Sequence, residues 1–278
     1  MDRLCNMYHP ITGTPFQCDE TYREWQPCHA LRPYIRCFWG TERPVENADT
    51  SMESGIVIPD TCMDVIIDVN YTRNACTSIF CGIDETSALT SRQKCADKTA
   101  TFGIRFYAWT AVLFADGDMR GSQNARWNSE AFSKDIKDAL MPYMFDEQTI
   151  WEKICMAEHV LMKRLRADKT DADVLNAVYR MLETKGREKV RALSEYTGIS
   201  GRQMERKFEK AMGVSPKTFS SLIRYQLLWQ EVAAGGKFSV LDAVEKYGYT
   251  DQAHLLHDFK KRHLMTPAEA VSFAKEHR

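Results

Sequence analysis

The fold is decided by the stretch ALSEYTGISGRQMERKFEKAMGVSP, residues 192–216. A short amphipathic segment ends at Gly198, and glycine adopts the left-handed conformation of a helix C-cap at little cost. Ile199 follows to pin the turn, and the hydroxyl of Ser200 is a favoured helix N-cap. The next segment has a narrow apolar stripe at helical spacing, formed by Met204, Phe208 and Met212. This order of elements predicts a helix-turn-helix unit.

A second copy of the pattern occurs in VLDAVEKYGYTDQAHLLHDFKKRHLMTP, residues 240–267. Its turn contains Gly248, Tyr249 and Thr250, and we expect Thr250 to cap the second helix as Ser200 does in the first copy. Three positions are offset by 51 residues, pairing Met204 with Leu255, Phe208 with Phe259 and Pro216 with Pro267. The turn glycines are offset by 50, so the second turn has one extra residue. Such a repeat indicates two related units.

One helix is predicted between the copies, from Pro216 to Ala234, and Gly235-Gly236 ends it. A single connecting helix fixes the separation of the two units, so that both can enter successive major grooves on one face of a duplex. In each unit the second helix exposes a polar and basic face. The predicted DNA-contacting residues are Ser200, Arg202, Gln203, Glu205, Arg206 and Lys207 in the first unit, and Thr250, Gln252, His254, His257 and Lys261 in the second.

The residue types on these faces indicate different roles. Arg202 and Arg206 are four residues apart and project from one side of a helix, where an arginine can hold guanine O6 and N7 with two hydrogen bonds. Glu205 either accepts a hydrogen bond from a cytosine amine or pairs with an arginine. Gln252 suits adenine. Lysines further along the second helix, such as Lys260, are expected to meet phosphates.

The charge is unevenly distributed along the chain. The net charge of the whole chain is only −1. Residues 186–278 contain 16 Lys and Arg against 11 Asp and Glu, a net charge of +5, whereas residues 1–185 have a net charge of −6. This asymmetry indicates that only the second part faces a polyanion.

The first part of the chain has a different pattern. Up to about residue 126, short runs of β-branched and aromatic residues alternate with Gly, Asn and Asp turns, which favours a sandwich or a barrel. From Ser129 to Lys185 the apolar residues recur at helical spacing, and Gly186 is a plausible helix C-cap. We therefore predict an α+β protein with a β-rich and partly helical domain over residues 1–185 and an all-α domain over residues 186–278.

The segment Val190–Ala270 resembles the DNA-binding domain of the AraC/XylS family of bacterial transcription regulators. The matching pieces are Gly198-Ile199-Ser200, Phe208-Glu209-Lys210, Gly213-Val214-Ser215-Pro216, Gly248-Tyr249, Asp251-Gln252-Ala253-His254-Leu255, Asp258-Phe259-Lys260-Lys261 and Thr266-Pro267. The resemblance implies two helix-turn-helix units on a linker helix, double-stranded DNA as partner and regulation of transcription without a cofactor. The chain has His263-Leu264 where the family usually has an aromatic residue followed by glycine, so we expect looser packing at that helix end.

The first part resembles the N-terminal domains of one branch of the same family. The similar pieces are Arg32-Pro33-Tyr34, Ile58-Pro59-Asp60, Met63-Asp64 and Phe102-Gly103-Ile104-Arg105-Phe106. The resemblance implies a small-molecule-sensing or dimerisation domain built as a cupin-like barrel. Candidate effector-binding residues on its strands are Arg36, Phe38, Trp39, Arg105, Tyr107 and Trp109, with Arg36 or Arg105 as the partner of an anion. The alternative is that these aromatic residues form the core of the barrel.

Other functional classes have less support in the sequence. The motifs of the common hydrolases, P-loop enzymes, zinc proteases and dinucleotide-binding enzymes are absent, so we predict no catalytic residues and no metal site. Nine cysteines in a chain that begins without an apolar signal segment indicate reduced thiols and a cytoplasmic protein. A thiol- or metal-responsive regulator remains an alternative, as does an alkyl-transfer repair protein, although the N-terminal cysteine spacing lacks the four-cysteine zinc knot that the repair protein needs.

The expected partners follow from these predictions. They are double-stranded DNA and a small-molecule effector, with RNA polymerase and a second copy of the chain as further candidates. A membrane is excluded as partner, because the longest apolar runs fall far short of the ~20 residues of a membrane-spanning helix.

Overall fold

The computed structural model describes residues 1–11, 22–46, 52–93, 96–145, 149–234 and 238–276. Within these residues the N-terminal region contains nine strands. They are β1 (Arg23–Trp25), β2 (Ile35–Gly40), β3 (Val45–Glu46), β4 (Met52–Val57), β5 (Cys62–Asn70), β6 (Ala75–Cys81), β7 (Ala88–Gln93), β8 (Lys98–Tyr107) and β9 (Arg126–Asn128). The predicted β-rich N-terminal region is therefore confirmed.

The strands form an antiparallel sheet around β8. Its order is β1-β2-β8-β5-β6-β9, with β3 also paired to β8, while β4 and β7 form a separate two-stranded ribbon. Residues of β8 alternate between the two faces of the sheet. Phe102, Ile104 and Phe106 are buried in the hydrophobic core on one face, and Arg105 and Tyr107 lie on the other face, where Tyr107 is also buried in the same cluster. Closure of the sheet into a barrel is not among the described hydrogen bonds and stays a prediction.

Twelve α-helices complete the described part of the chain. In the N-terminal region they are α1 (Asp2–Met7), α2 (Ala108–Ala111), α3 (Ser129–Phe132), α4 (Lys134–Met144), α5 (Ile150–Arg164) and α6 (Ala172–Glu183). In the C-terminal region they are α7 (Val190–Thr197), α8 (Gly201–Met212), α9 (Pro216–Ala233), α10 (Val240–Tyr247), α11 (Gln252–His263) and α12 (Pro267–Glu276). The two predicted helix-turn-helix units correspond to α7–α8 and α10–α11, and α9 is the predicted linker helix. The α+β fold is confirmed.

The hydrophobic core crosses from the sheet into the first helix-turn-helix unit. Phe106 of β8 belongs to the same buried cluster as Phe208 of α8 and Phe219 of α9. Trp109 of α2 joins them, because its ring meets Phe219 edge-on at a centroid distance of 6.3 Å. Removing such apolar surface from water is the main favourable term in folding. The sheet and the first unit are therefore packed together as one body.

The second unit has its own hydrophobic cluster, formed around Trp229 of α9 and Phe259 of α11. Ile56 and Ile58 from the N-terminal region are also part of this cluster and are each 3% exposed. The N-terminal region therefore contacts both units.

The N-cap of α8 agrees with the sequence, whereas the N-cap of α11 does not. The Ser200 hydroxyl accepts a hydrogen bond from the backbone N–H of Gln203 at 3.3 Å. In the second unit the capping residue is Asp251, whose carboxylate accepts from the backbone N–H of His254 at 2.7 Å. The prediction that Thr250 caps this helix is therefore wrong. The extra residue of the second turn moves Thr250 out of the capping position and places Asp251 there.

The end of α11 is tightly packed, contrary to the expectation for His263-Leu264. The ring of His263 is 1% exposed and stacks on Phe259 at 5.0 Å between centroids and 11° between planes. Its Nδ1 atom lies 2.7 Å from the Tyr225 hydroxyl. Leu264 adopts the left-handed C-cap conformation with φ of 66°, as Gly213 does after α8 with φ of 70°. The imidazole of His263 thus packs where the family usually has an aromatic ring. Leu264 adopts the left-handed backbone conformation that usually favours glycine.

We expect His263 to make the stability of the protein depend on pH. Burial lowers the pKa of His263 to about 4, whereas an unfolded histidine has a pKa near 6.5. Between these values the unfolded chain binds a proton that the folded chain does not, so the free energy of unfolding falls as the pH drops from about 6.5 to about 4. The loss attributable to this residue is roughly 2–3 kcal/mol. Urea denaturation of His263→Phe across this range should show a shallower pH dependence than the wild type.

The matched control is His257→Phe, because His257 lies on the exposed face of the same helix. We expect this variant to keep the wild-type slope. The assignment would be contradicted by identical pH slopes for His263→Phe and the wild type.

Candidate DNA-reading surface and candidate effector face

Helix α8 separates a buried side from an exposed polar side. Met204 and Phe208 are fully buried against the core, and Arg202 and Arg206 are exposed on the opposite side. Ser200 and Gln203 bond to each other at the helix start, where the Gln203 side chain accepts from the backbone N–H of Ser200 at 3.1 Å. These two predicted DNA-contacting residues therefore also shape the N-terminus of α8, whose free amides suit a phosphate.

Two other predicted residues of this helix differ in their surroundings. Glu205 is exposed and has no ion pair with Arg202 or Arg206 within the part of the chain that the structure describes. The ammonium of Lys207 lies 2.5 Å from Asp171 and 3.1 Å from Asp173, at the start of α6. Hydrogen bonding to Asp171 raises the pKa of Lys207. Lys207 is thus held by the N-terminal region, on the flank of the reading face.

Helix α11 has the same division into two sides. Leu255 and Phe259 are fully buried, and the outward side carries all the residues predicted to contact DNA in this unit. The exposed residues are Thr250, Gln252, His254, His257 and Lys261. The structure therefore places each predicted set, apart from Lys207, on the outward side of one helix and its preceding turn.

Gln226 ties the linker helix to the N-terminal region. Its side chain is fully buried and donates hydrogen bonds to the carbonyl oxygens of Pro59 at 2.7 Å and Ile11 at 3.0 Å. Its amide oxygen accepts from the backbone N–H of Ile11 at 3.0 Å. The sequence offers a weak signal for this contact, because Gln226 is a polar residue between the apolar residues of a predicted helix.

Arg262, near the end of α11, makes a second tie between the regions. Its guanidinium donates to the carbonyl oxygen of Glu85 at 3.2 Å and to the hydroxyl of Ser221 at 2.6 Å. Its own carbonyl accepts from the backbone N–H of Ser87 at 2.6 Å. The first unit has a comparable contact, in which the backbone N–H of Met119 donates to the carbonyl of Lys210 at 2.9 Å. Sequence reasoning missed these contacts.

The candidate effector face of the sheet is built around Arg105. Its guanidinium approaches Asp64 on β5, with Nε 3.0 Å from one carboxylate oxygen and Nη2 3.2 Å from the other. The indole N–H of Trp39 donates to Asp64 at 2.7 Å. Arg105 and Asp64 are 6% and 8% exposed. Two of the predicted effector residues, Trp39 and Arg105, therefore share one buried carboxylate, which offsets the charge of Arg105.

Arg36 is less completely paired. Its guanidinium lies 3.5 Å from the Glu24 carboxylate, and its Nε is buried without a partner among the described residues. On the same side of the structure as Arg105, Asp60 precedes β5, and its carboxylate accepts a hydrogen bond from the backbone N–H of Cys62 at 2.6 Å. Burial raises the pKa of Asp60 to about 6. Sequence reasoning did not select Asp60 as a functional residue. Both arginines have one buried nitrogen without a partner among the described residues, Nε of Arg36 and Nη1 of Arg105, and Arg36 has the longer ion pair of the two.

The three remaining effector candidates lie deeper. Phe38 is fully buried and stacks on Phe102 at 5.9 Å, on the apolar face of the sheet. Tyr107 stacks on Trp109 at 4.8 Å, and Trp109 continues to Phe219 of the linker helix. For Phe38 the structure matches the barrel-core alternative. Tyr107 and Trp109 join the effector face to the first unit.

The cysteines differ in reactivity. Burial raises the pKa of Cys37 and Cys62, and the thiolate is the form that binds metals and reacts with oxidants. Cys155 is exposed on α5. The described residues contain no group of three or more His, Cys, Asp or Glu side chains arranged to hold a metal ion. Cys18 and Cys95 lie outside the described residues. These surroundings disfavour the thiol-responsive alternative for Cys37 and Cys62.

Across the described ranges, none of the helices is long and apolar enough to span a membrane.

Two protein-family models match the chain. The model described as "Helix-turn-helix domain" matches residues 193–271, which include both units and the linker helix. The model described as "Domain of unknown function (DUF6597)" matches residues 23–127, which include the sheet. None of the curated proteins matches the chain significantly.

Solved structures give distant likenesses. A probable AraC family transcriptional regulator from Rhodopseudomonas palustris is 22% identical, with 37% of this chain and 98% of that chain covered and a TM-score of 0.33. ToxT from Vibrio cholerae with a bound unsaturated fatty acid is 12% identical, with 82% and 97% covered and a TM-score of 0.38. ToxT bound to (E)-4-(8-methylnaphthalen-1-yl)but-3-enoic acid is 10% identical, with 81% and 99% covered and a TM-score of 0.41.

We expect the Arg105–Asp64 pair to stabilise the fold only when both partners are present. Asp64→Ala leaves a buried guanidinium without its carboxylate, and breaking a buried pair in this way costs about 3–5 kcal/mol of the free energy of unfolding. The double variant Asp64→Leu, Arg105→Met replaces both charges by apolar groups and should recover most of that loss. Urea denaturation measures both effects. A double variant less stable than Asp64→Ala would show that the arginine has another buried partner.

Proposed function

We propose that residues 193–271, which match a helix-turn-helix domain model, are the DNA-binding domain of a transcription regulator of the AraC/XylS type, and that the chain reads operator DNA with α8 and α11. One observation carries this proposal. Two capped helices, each with a buried apolar side and an exposed polar side, are attached to one linker helix. Exposed second helices of this kind suit the major groove, and a rigid connection sets their separation.

The two helices are proposed to contribute unequally. Arg202 and Arg206 are free of described ion pairs and project from one side of α8, where each can grip a guanine. On α11 the exposed residues are a glutamine, two histidines and lysines, of which Gln252 suits adenine and Lys260 suits a phosphate. The first unit would therefore supply most of the sequence preference, and the second would supply affinity and one or two base contacts.

The proposed effector site is the face of the sheet that contains Arg36. The unpartnered Nε of Arg36 is a polar group of the kind that fixes a small ligand in a mostly apolar site, and the half-buried carboxyl of Asp60, which precedes β5, is a second candidate. One of the hydrogen bonds between the N-terminal region and the linker helix begins next to Asp60. Asp60 follows Pro59, whose carbonyl binds Gln226 of the linker helix. A ligand that moves this segment would therefore act on the helix that joins the two units.

The remaining partners and the location are also proposals. Operator DNA and a small molecule are the principal proposed partners, and RNA polymerase and a second copy of the chain are the others. The proposed location is the cytoplasm.

The test compares two basic residues with different proposed roles. A duplex selected from a random-sequence library and a scrambled duplex would be titrated with each variant by fluorescence anisotropy at one salt concentration. Arg206→Ala should reduce the difference in binding free energy between the selected and the scrambled duplex by about 1–3 kcal/mol, because a bidentate guanine contact is lost. Lys260→Ala should weaken binding to both duplexes by a similar factor and reduce the salt slope by about one.

Arg206→Lys is the matched control for charge. It keeps the positive charge and removes the planar fork that holds two guanine atoms. We therefore expect it to retain affinity for the scrambled duplex and to lose discrimination as Arg206→Ala does. Full discrimination in Arg206→Lys would contradict the base-reading role of this residue.

A further inference from the structure

The last turns of both reading helices are bound by loops of the N-terminal region. The backbone N–H of Met119 donates to the carbonyl oxygen of Lys210 at 2.9 Å, near the end of α8. The backbone N–H of Ser87 donates to the carbonyl oxygen of Arg262 at 2.6 Å, near the end of α11. Carbonyl groups in the last turn of a helix have no partner within the helix. Each loop therefore satisfies a group that the helix itself leaves without a hydrogen bond.

The two loops are bonded to each other as well. Residues 82–87 follow β6 and residues 119–125 precede β9, and these two strands pair with each other in the sheet. The backbone N–H of Asn124 donates to the carbonyl oxygen of Ile83 at 2.8 Å, and the side-chain oxygen of Asn124 accepts from the backbone N–H of Glu85 at 2.9 Å. The pairing of β6 with β9 thus continues into the two loops, which we call the brace.

Close packing at Ser122 holds the brace against α8. Ser122 is fully buried between two glycines, Gly82 of the brace and Gly213 at the end of α8. A β-carbon at Gly82 would overlap the carbonyl oxygen of Ser122, and a β-carbon at Gly213 would overlap the Ser122 hydroxyl. Interiors packed as closely as this transmit the displacement of one segment to the next. The brace and the end of α8 therefore move together.

The contact of the brace with α11 includes the side chain of Arg262. The guanidinium is 7% exposed and donates to the carbonyl oxygen of Glu85 in the brace at 3.2 Å. Its Nε atom lies 3.5 Å from the carboxylate of Asp258, one turn earlier in α11. Asp258 also accepts a hydrogen bond at 2.9 Å from the hydroxyl of Tyr249, in the turn before α11. The brace is thus connected through side chains to both ends of this reading helix.

We propose that the brace fixes the separation and orientation of the two reading helices, with Gly82 and Asn124 as its positioning residues. Linker helix α9 connects the two units through the chain, and the brace connects the ends of α8 and α11 through hydrogen bonds. These connections close a ring, so a movement of one reading helix relative to the other must break bonds of the brace. The inference rests on the proposed reading of DNA by α8 and α11, and it names the groups that set their spacing.

Hydrogen exchange of the full chain without DNA tests whether the brace holds α11. Asn124→Gly removes the side-chain acceptor of the Glu85 N–H and keeps the backbone, because Asn124 has φ of 52° and glycine adopts that conformation at little cost. Exchange should become at least about tenfold faster at Glu85, at Ser87 and in the last turn of α11, as followed by mass spectrometry of overlapping peptides. An increase confined to Glu85 would overturn the proposal, because it would show a local bond that positions nothing.

Asn124→Asp is the conservative variant for the same position. It keeps an oxygen acceptor for the Glu85 N–H, and aspartate tolerates the left-handed conformation as asparagine does. We therefore expect Asn124→Asp to retain wild-type exchange at Ser87 and in the last turn of α11. Because Asn124 is exposed, thermal unfolding of both variants should stay close to that of the wild type.

A series of duplexes measures the consequence for DNA binding. Its members are a duplex selected by the wild type and the same duplex with one or two base pairs added between the two blocks. The wild type should prefer the original spacing by at least about tenfold, because a rigid molecule cannot engage both blocks at another spacing. Gly82→Ala forces the two loops apart and should reduce this preference to about threefold or less, as should Asn124→Gly. Gly117→Ala is the matched control, since its β-carbon would meet nothing within 4 Å, and it should keep the wild-type preference.

The outcomes separate the brace from the proposed function. The proposal would be overturned by a wild type that selects DNA but tolerates added base pairs, or by an Asn124→Gly variant with wild-type exchange and wild-type spacing preference. If Gly82→Ala does not fold, Asn124→Gly decides both experiments. A wild type that selects no duplex would contradict the reading role of α8 and α11, and the exchange experiment, which contains no DNA, would still decide whether the brace holds α11.

Discussion

The buried side-chain amide of Gln226 on the linker helix α9 needs hydrogen-bond partners, and the N-terminal region supplies them. These hydrogen bonds fix the N-terminal region against the helix that connects the two helix-turn-helix units. Gln226 is fully buried in a helix whose other inward residues are mostly apolar. An amide left without hydrogen bonds in such a place would cost roughly 1–3 kcal/mol. Ile11 and Pro59, from two separate N-terminal segments, supply all three bonds that satisfy it. The N-terminal region is thereby positioned along the same helix that connects the two helix-turn-helix units.

This constraint explains why the two halves of the chain cannot be treated as independent. The apolar face of the sheet and the first unit share one hydrophobic cluster, in which Trp109 contacts Phe219. The second unit is joined to the N-terminal region through Ile56, Ile58 and the contacts of Arg262 with Glu85 and Ser87. The N-terminal region therefore contacts each unit directly. Such contacts would let a conformational change in the N-terminal region affect both units.

Local features of the fold could be predicted from the sequence, because they depend on neighbouring residues. The turn glycines, the Ser200 cap and the apolar stripes of both reading helices follow from spacing alone. The prediction that Thr250 caps α11 was wrong, because the second turn has one extra residue. That residue places Asp251, 51 positions after Ser200, at the N-cap. His263 was expected to loosen the helix end, but a neutral imidazole packs as an aromatic ring when it is buried beside Phe259.

Contacts between distant segments could not be predicted in this way. Gln226 and Ile11 are 215 residues apart, and no periodic pattern links them. The ion pairs of Lys207 with Asp171 and Asp173, and of Arg105 with Asp64, also depend on the tertiary fold. The exposure of the residues predicted for DNA reading could be inferred from the sequence, because each set lies on one amphipathic helix and its preceding turn. The effector face was harder to predict, because the charge of Arg105 is neutralised by Asp64 on another strand, which the sequence does not reveal.

The most direct test of the account is selection of duplexes from a random-sequence library by the full chain, followed by sequencing of the bound fraction. Two reading helices held on one rigid linker should enrich two sequence blocks at one constant spacing, about one helical turn or 10–10.5 base pairs from centre to centre. The block read by α8 should contain guanines and should be the better defined of the two. A single enriched block, or two blocks at variable spacing, would contradict the claim that α9 and its N-terminal partners hold both helices in one arrangement on DNA.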